Sequence, residues 1–302
     1  MTWQRFKKLK VLPKAPPLVK RRYSVTTDIV SFQLCPRQYG HFAVRGYVSA
    51  NALQEFFGTI VHQVLDRAHA HFKGLLDPST KGKLPNDQDI DRYFEDVQRA
   101  LKARGIRAFV RESDLARELV KRFNRIEGPT LYPRVKDTEH RIQDDQGSYI
   151  LHGVVDVLVN PAVKNPTPGQ MEIWDYKASR FPGADLQRRQ RFEFQMLVYA
   201  ELYRARNGVY PAKAVLYFLN ELAGTPVPTS RPANALYEVT LDPKRIKQAL
   251  QDFATTVKEI ERCHDSDKWS PPPPKQTPGK ETCDLCDIRW SCPSVKYDMR
   301  YP

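Results

Sequence analysis

A change in hydrophobic periodicity near residue 135 limits the folds that this chain can adopt. Before it, apolar residues recur at helical spacing, and after it they cluster in short runs rich in β-branched and aromatic residues. These runs predict strands at Val135–Gln143, Ser148–Val159, Met171–Tyr176 and Ala214–Leu219. A helix predicted from Asp185 to Arg206 separates the last two strands. Three strands, a helix and a further strand in this order predict an α/β fold.

The other segments are predicted mainly as helices. They cover Thr27–Gly40, a segment from about Asn51, Gln88–Ala103, Glu112–Ile126 and Pro243–Cys263, with a further strand near Tyr237–Leu241. The stretch 75–130 matches no motif, and its two helices carry a run of basic residues: Arg99, Lys102, Arg104, Arg107, Arg111, Arg117, Lys121, Arg122 and Arg125. A solvated helix face and the wall of a nucleic-acid channel both account for this run.

The balance of charge indicates a polyanionic partner. The 302 residues include 48 Lys and Arg against 35 Asp and Glu, a formal charge of +13. Nucleic acid is the first candidate for such a partner. No run of about 18 apolar residues exists, which excludes a membrane-spanning helix, and no secretory signal is recognisable at the start. Five unevenly spaced cysteines fit a reducing compartment, so a cytoplasmic location is expected.

Residues 1–22 are predicted to form a flexible basic arm. They contain eight Lys and Arg and no acid, and three prolines prevent a long helix. Contact with phosphate, organellar targeting and a solvated tail are the three interpretations of this arm.

Two carboxylates and a lysine in the β-rich part suggest a metal site. Asp175 and Lys177 are two residues apart on a strand and therefore project from the same face. Asp156 is the single charge in the apolar run Gly153–Leu158, and a buried carboxylate is costly without a cation beside it. Carboxylates from neighbouring strands would suit Mg²⁺ or Mn²⁺, with Lys177 supplying further positive charge. An ordinary ion pair at a strand end is the structural alternative.

Two predicted helices carry polar residues that the same site could use. Gln195 and Tyr199 are one turn apart and share a helix face. His62 lies in a helix whose apolar stripe includes Val61 and Leu65, where a histidine is more often structural than functional. Neither feature is specific when taken alone.

A cysteine cluster follows a run of prolines near the carboxyl end. Its spacing, Cys283-x₂-Cys286-x₅-Cys292, suggests zinc first and iron–sulfur second. Three cysteines leave either site one ligand short, and Cys35 near the start of the chain is the candidate for the fourth. Cys263, at a helix end, is interpreted as a free thiol.

In their order, these motifs resemble the PD-(D/E)XK nuclease superfamily and, more narrowly, its RecB-type nucleases. These include the CRISPR-associated RecB-like exonucleases, the AddB nuclease domain and exonuclease V. The resemblance extends from about Tyr23 to Pro293 and rests on the Cys-Pro-Arg at Cys35, on Gly58–His62, Gly153–Asp156 and Asp175–Lys177, and on Gln195–Tyr199. One departure is that Val155, not proline, precedes Asp156.

The resemblance implies a restriction-endonuclease-like core at residues 136–220, with a mixed central sheet flanked by helices. This core belongs to a single nuclease domain at 23–302, in which 75–130 is a helical insertion. Residues 275–302 would pair with Cys35 as an iron–sulfur clip between the two ends of the chain. The clip is expected to be structural, because it closes a very long loop.

The resemblance also implies the roles of individual residues. The ligands of Mg²⁺ or Mn²⁺ would be His62, Asp156, Asp175 and the main-chain carbonyl of Tyr176. Lys177 would activate water, and Gln195 and Tyr199 would position the lysine or the DNA strand. A 4Fe–4S cluster, or zinc as the alternative, would be held by Cys35, Cys283, Cys286 and Cys292.

The predicted function is a metal-dependent nuclease, an exonuclease on single-stranded DNA, in DNA repair, recombination or antiviral defence. Arg180, Arg188, Arg189 and Arg191 would form a phosphate track. Phe181, Phe192 and Phe194 are candidates for base stacking, although core packing is the commoner use of phenylalanine. The alternatives are a catalytically silent DNA-binding or scaffolding subunit and a zinc-clipped RNA-binding protein. A helicase or a CRISPR integrase is a possible partner, and a free-standing enzyme is equally compatible with the sequence.

Overall fold

The computed structural model describes residues 20–47, 52–106, 109–161, 163, 165–273, 276, 278, 282–283 and 286–294. Residues 1–19 of the predicted basic arm lie outside this part of the chain. Arg22, the last residue of the predicted arm, begins the first strand. Among the described residues, no helix is long and apolar enough to cross a membrane.

The strands form one mixed sheet. They are β1 (Arg22–Ser24), β2 (Val135–Asp145), β3 (Ile150–Val159), β4 (Glu172–Lys177), β5 (Lys213–Phe218) and β6 (Leu236–Val239). The sheet order is β1-β3-β4-β5-β6, and β2 pairs with β3 as an antiparallel hairpin. β1 and β4 run parallel to β3 and β5 respectively, whereas the pairs β3–β4 and β5–β6 are antiparallel. The predicted α/β fold with a mixed central sheet is confirmed.

Helices cover both faces of this sheet. They are α1 (Ser31–Leu34), α2 (Pro36–Tyr39), α3 (Ala52–Phe72), α4 (Asp87–Ala103), α5 (Val110–Leu131), α6 (Leu186–Asn207) and α7 (Pro243–Ser266). Several ends follow local signals in the sequence. Asn86 and Asp89 form a capping box at the start of α4, Asp185 caps α6, and Gly208 ends α6 in the left-handed conformation.

The single helix predicted from Thr27 to Gly40 is wrong at its centre. A π-helical turn, Val25–Val30, leads into α1, and the chain is then extended at Cys35 before α2 begins. Pro36 explains the break, because its ring disfavours the helical conformation in the residue before it. The sequence interpretation missed this effect of the Cys-Pro pair.

The predicted end of the α5 segment near Ile126 is also wrong. Pro129 lies inside the helix, which continues to Leu131. Leu131 and the following Tyr132 are buried in the core. Their burial outweighs the one main-chain hydrogen bond that a proline removes from the last turn.

Two apolar cores flank the sheet, one on each face. Ile173 of β4 packs in the core shared with α6 and α7. Trp174 and Tyr176 pack in the opposite core, with α3, α4 and α5. Because successive side chains of a strand alternate between its faces, Asp175 and Lys177 lie on the face covered by α6.

Part of the basic run on α4 and α5 is engaged between these two helices. Arg117 and Lys121 approach Asp91 at 3.4 and 2.8 Å, and Arg125 lies 2.8 Å from Asp87. These contacts join α5 to α4 across their interface. For these residues, the structural interpretation of the run fits better than the wall of a channel.

Candidate active site

The strands β3 and β4 part where the predicted acids lie. Their ladder begins at Val159 with Glu172 and ends at Val157 with Trp174. The next residue of β3 is Asp156, whose Oδ2 accepts a hydrogen bond from the main-chain N–H of Tyr176 at 2.7 Å. A side-chain carboxylate therefore takes the place of a main-chain acceptor at the end of the ladder.

The regular alternation of β3 is interrupted at the same residue. Val155 packs in the core beside α6, whereas Val157 packs in the opposite core. Across the β2–β3 hairpin, Glu139 lies opposite Asp156 and has a left-handed backbone with φ of 48°. Such a conformation costs a residue with a side chain about 1–3 kcal/mol and is concentrated at functional sites.

Asp175, Lys177 and Gln195 form a closed group of polar contacts. Lys177 Nζ lies 2.7 Å from Asp175 Oδ2 and donates to Gln195 Oε1 at 2.6 Å. The amide of Gln195 donates in turn to Asp175 Oδ1 at 2.7 Å and to the hydroxyl of Tyr199 at 3.1 Å. The shared face predicted for Asp175 and Lys177 is confirmed, and so is that of Gln195 and Tyr199.

His62 of α3 lies beside Asp156. Its Nδ1 lies 3.3 Å from Asp156 Oδ2. His62, Glu139 and Asp156 each offer one ligand atom, and these atoms lie within 4.8 Å of one another. Glu139 was not foreseen, because it is one of several acids in a polar segment. Only its pairing opposite Asp156, which the hairpin register defines, could have singled it out.

The charges of this cluster shift one another's pKa values. Burial raises the pKa of Asp175, and the neighbouring Asp156 adds to the rise, although Lys177 opposes it. Burial would also raise the pKa of Asp156, but the charge and hydrogen bond of His62 and the N–H of Tyr176 lower it. Burial lowers the pKa of His62, and Asp156 more than compensates, so the value is about 9. At neutral pH the imidazolium of His62 and the ammonium of Lys177 thus face the two carboxylates, and a metal ion bound by His62 would have to displace the proton of that imidazole.

The available donors fit a hard divalent cation. Asp175 is 2% exposed; its Oδ1 accepts a hydrogen bond from the amide of Gln195, and its Oδ2 lies 2.7 Å from the ammonium of Lys177. Carboxylate oxygens are the ligands that Mg²⁺ and Mn²⁺ prefer. His62, Glu139 and Asp156 place their ligand atoms within 4.8 Å of one another and suit such an ion, whereas Asp175 as a further ligand stays a prediction. The carbonyl of Tyr176 as a ligand stays a prediction.

The side chain of Tyr176 secures β4 from the opposite face. Its hydroxyl lies 3.0 Å from Nε2 of His69, and its ring packs edge-on against Phe123 with the ring centroids 5.2 Å apart. Burial lowers the pKa of His69 to about 3, so the imidazole is neutral at physiological pH. The contact is thus a hydrogen bond between uncharged groups in the core.

A wide groove opens onto this cluster. Lys177 and Gln195 line it together with Phe57 of α3 and Leu115 of α5. Two of the four arginines of the predicted phosphate track also line it, namely Arg188 and Arg191. Of the other two, Arg189 lies 3.6 Å from Glu193, and Arg180 is exposed without lining the groove. The structure therefore places only half of the predicted track beside the active-site cluster.

The four predicted cluster ligands lie around one small cavity. Its lining includes Cys35, Cys283, Cys286 and Cys292. Arg37, which also lines the cavity, donates to Ser291 Oγ at 2.8 Å, so α2 is in contact with the segment that carries Cys292. Nε of Arg37 is buried and has no hydrogen-bond partner among the described residues. Cysteine sulfurs and an unused N–H donor around one cavity are compatible with an iron–sulfur cluster.

Comparison with known proteins bears on the whole chain. A solved structure from Eubacterium rectale, described as a candidate exonuclease, aligns with a TM-score of 0.51 over 92% of this chain and 90% of its own. The sequence identity is 14%, so this likeness concerns the fold. No curated protein matches the sequence significantly. The sequence profile of the PD-(D/E)XK nuclease superfamily matches residues 23–293, and the chain therefore belongs to that superfamily.

Proposed function

We propose that the protein is a metal-dependent deoxyribonuclease that acts on single-stranded DNA as an exonuclease and carries a structural 4Fe–4S cluster. The observation that carries this proposal is the convergence of Asp156, Asp175 and Lys177 beside an open groove. The family makes hydrolysis of a phosphodiester bond the reaction to expect of these residues. The name of the structural relative adds support for an exonuclease.

Each residue of the cluster has a separate role in the proposed hydrolysis. His62, Asp156, Asp175 and the carbonyl of Tyr176 would hold Mg²⁺ or Mn²⁺, which supplies a polarised phosphoryl oxygen and a water of lowered pKa. Lys177 donates hydrogen bonds to the attacking water and to the charge that develops on the phosphate. Gln195 holds the lysine and Asp175 in register through its two short hydrogen bonds. Tyr199 supports the amide of Gln195 from behind.

The groove supports a single strand as substrate. Arg188 and Arg191 lie along α6 beside Lys177, where they can contact phosphates on either side of the bond to be cut. Aromatic side chains, Phe57 and Phe192, line the same groove. Positive charge interleaved with aromatic rings is typical of surfaces that bind unpaired nucleotides.

The iron–sulfur proposal rests on the resemblance and on the shared cavity of the four cysteines. A cluster there would join α2 to the carboxyl-terminal segment, beside the contact of Arg37 with Ser291. A zinc ion is the alternative occupant. Iron and acid-labile sulfide in anaerobically purified protein, with visible absorbance, would support the cluster, and a colourless protein with one zinc per chain would refute it.

Intact Asp156, Asp175 and Lys177 favour an enzyme over a silent scaffold. DNA repair, recombination and antiviral defence remain the proposed settings, with a helicase or a CRISPR integrase as possible partner.

Cleavage of end-labelled DNA tests the proposed function. Single- and double-stranded substrates are incubated with Mg²⁺, Mn²⁺ or EDTA, and the label at either end reports polarity. Asp175→Asn keeps the size of the side chain and should lower the rate by about 10²-fold or more, since a group acting on transition-state charge contributes that much. Asp145→Asn, at the exposed end of β2, is the control with wild-type activity. Metal-independent cutting, or normal cutting by Asp175→Asn, would refute the proposal.

A further inference from the structure

One stripe of α6 leads from the groove to the proposed active site. Arg188, Phe192, Gln195 and Tyr199 recur at intervals of four, three and four residues, which places them on one side of a helix. The first three line the groove, and Gln195 and Tyr199 make the contacts already described. The single apolar member of the groove-lining part of this stripe is Phe192.

The ring of Phe192 lies next to the lysine of the site. Nζ of Lys177 is 5.0 Å from the ring centroid, and Cζ of Arg188 is 5.9 Å from it. The ring is partly buried and packs at a tilt against Phe218, with the centroids 5.8 Å apart. Phe192 is therefore fixed by the core while it remains accessible from the groove.

We infer that Phe192 is the stacking platform for the nucleobase adjacent to the phosphate that is cleaved. The inference rests on the proposed function, since it takes Lys177 as the group that contacts this phosphate. An aromatic ring 5.0 Å from that ammonium lies within reach of the neighbouring nucleotide. A base in a duplex is stacked on its neighbours and does not offer a face, whereas an unpaired base does.

The guanidinium of Arg188 lies near the ring of Phe192, with its Cζ 5.9 Å from the centroid. The side chain is exposed, and guanidinium groups, like nucleobases, stack on aromatic faces. When a strand binds, the base takes this place and the guanidinium turns to a phosphate. The same substrate feature, an unstacked nucleotide beside the reacting phosphate, then determines both the affinity and the preference for single strands.

Phe181 offers a matched control. It also packs against Phe218, at 5.4 Å between centroids, and against Tyr237 at 5.4 Å. Unlike Phe192, it does not line the groove. Truncation of either ring should cost packing against the same neighbour, but only that of Phe192 should change the contact with DNA.

The test uses single-stranded oligonucleotides with one abasic nucleotide at successive positions, cleaved by anaerobically purified full-length protein with Mg²⁺ or Mn²⁺. For wild type, kcat/KM should fall about 5- to 150-fold at the bond next to the abasic position, since stacking on an aromatic ring contributes that much per base. Phe192→Leu should cut intact DNA more slowly by a similar factor and be indifferent to the abasic position. Phe192→Trp, which keeps a flat ring, and Phe181→Leu should retain the wild-type profile.

Two outcomes separate this inference from the proposed function. Wild-type protein that cuts no DNA would remove the proposed function, and the inference with it. Wild-type protein that cuts DNA, together with a wild-type abasic profile for Phe192→Leu, would overturn the stacking role alone. If Phe192→Leu does not fold, the folded Phe192→Trp variant decides. A kcat/KM in that variant that no longer depends on the position of the abasic nucleotide would overturn the stacking role equally.

Discussion

Replacement of Gln195 by leucine should remove the amide bridge between Lys177 and Asp175 Oδ1 at the proposed site. The amide accepts a hydrogen bond from Lys177 Nζ at 2.6 Å and donates one to Asp175 Oδ1 at 2.7 Å. Hydrogen bonds to charged groups contribute about 1.5–3 kcal/mol each, so the two bound the loss of unfolding free energy at roughly 3–6 kcal/mol. The lower end is expected, because Lys177 keeps its ion pair with Asp175 Oδ2 at 2.7 Å.

We expect Gln195→Leu to lower the rate of DNA cleavage as well as the stability. The loss of one orienting group beside developing charge costs about 10²–10³-fold in rate. Guanidinium unfolding followed by circular dichroism gives the free energy, and cleavage of saturating single-stranded DNA gives the rate. Tyr199→Phe is the control, because the hydroxyl contributes only neutral hydrogen bonds, such as that to Gln195 at 3.1 Å. It should cost about 1 kcal/mol and stay within about tenfold of the wild-type rate. Equal effects of the two substitutions would refute the role of Gln195 as the link.

Three further perturbations probe other parts of the molecule. Glu139→Gln should weaken Mn²⁺ binding by about tenfold or more in calorimetry, while Asp137→Asn on the same strand should not. Unchanged affinity would remove Glu139 from the metal site. Cys35→Ser should lose iron and melt at lower temperature, whereas Cys263→Ser should keep both; iron retained in the former would contradict the clip. The pKa of His69 is about 3 in the folded protein and about 6.5 in the unfolded chain, so the unfolded chain binds the proton more tightly. The contribution of the neutral, buried imidazole to stability is therefore complete only above about pH 6.5. Stability should fall as pH drops below about 6.5, by at most about 1.4 kcal/mol per unit, and less steeply in His69→Gln. An unfolding free energy that depends on pH equally in the wild-type protein and in His69→Gln would contradict this.

The geometry of the proposed site was predictable where it depends on local periodicity. Asp175 and Lys177 meet because a strand repeats every two residues, and Gln195 and Tyr199 meet because a helix repeats every 3.6. Both relations are visible in the sequence without knowledge of the fold. The pairing of these two elements, in contrast, came from the resemblance to the nuclease family.

Features that depend on contacts between distant segments were missed. Glu139 becomes a candidate ligand only through the register of the β2–β3 hairpin and its left-handed backbone. Neighbouring arginines of α6 diverge because one residue turns a helix by about 100°, so Arg188 faces the groove while Arg189 meets Glu193. No composition or spacing rule distinguishes such neighbours before the orientation of the helix is known.

The stretch 75–130, for which the sequence offered no role, bears on the proposed site through the back of β4. Tyr176 stands between Asp175 and Lys177 in sequence and points into the opposite core, where it meets Phe123 of α5 and His69 of α3. Successive side chains of this strand are thus held from opposite sides, by α6 through Gln195 and by α3 and α5 through Tyr176. A displacement of α5 would move Tyr176 and, through the shared backbone, both groups beside it. A small misplacement of reacting groups costs a large factor in rate, so we expect α5 to contribute to the proposed reaction by orienting Asp175 and Lys177 through the back of β4.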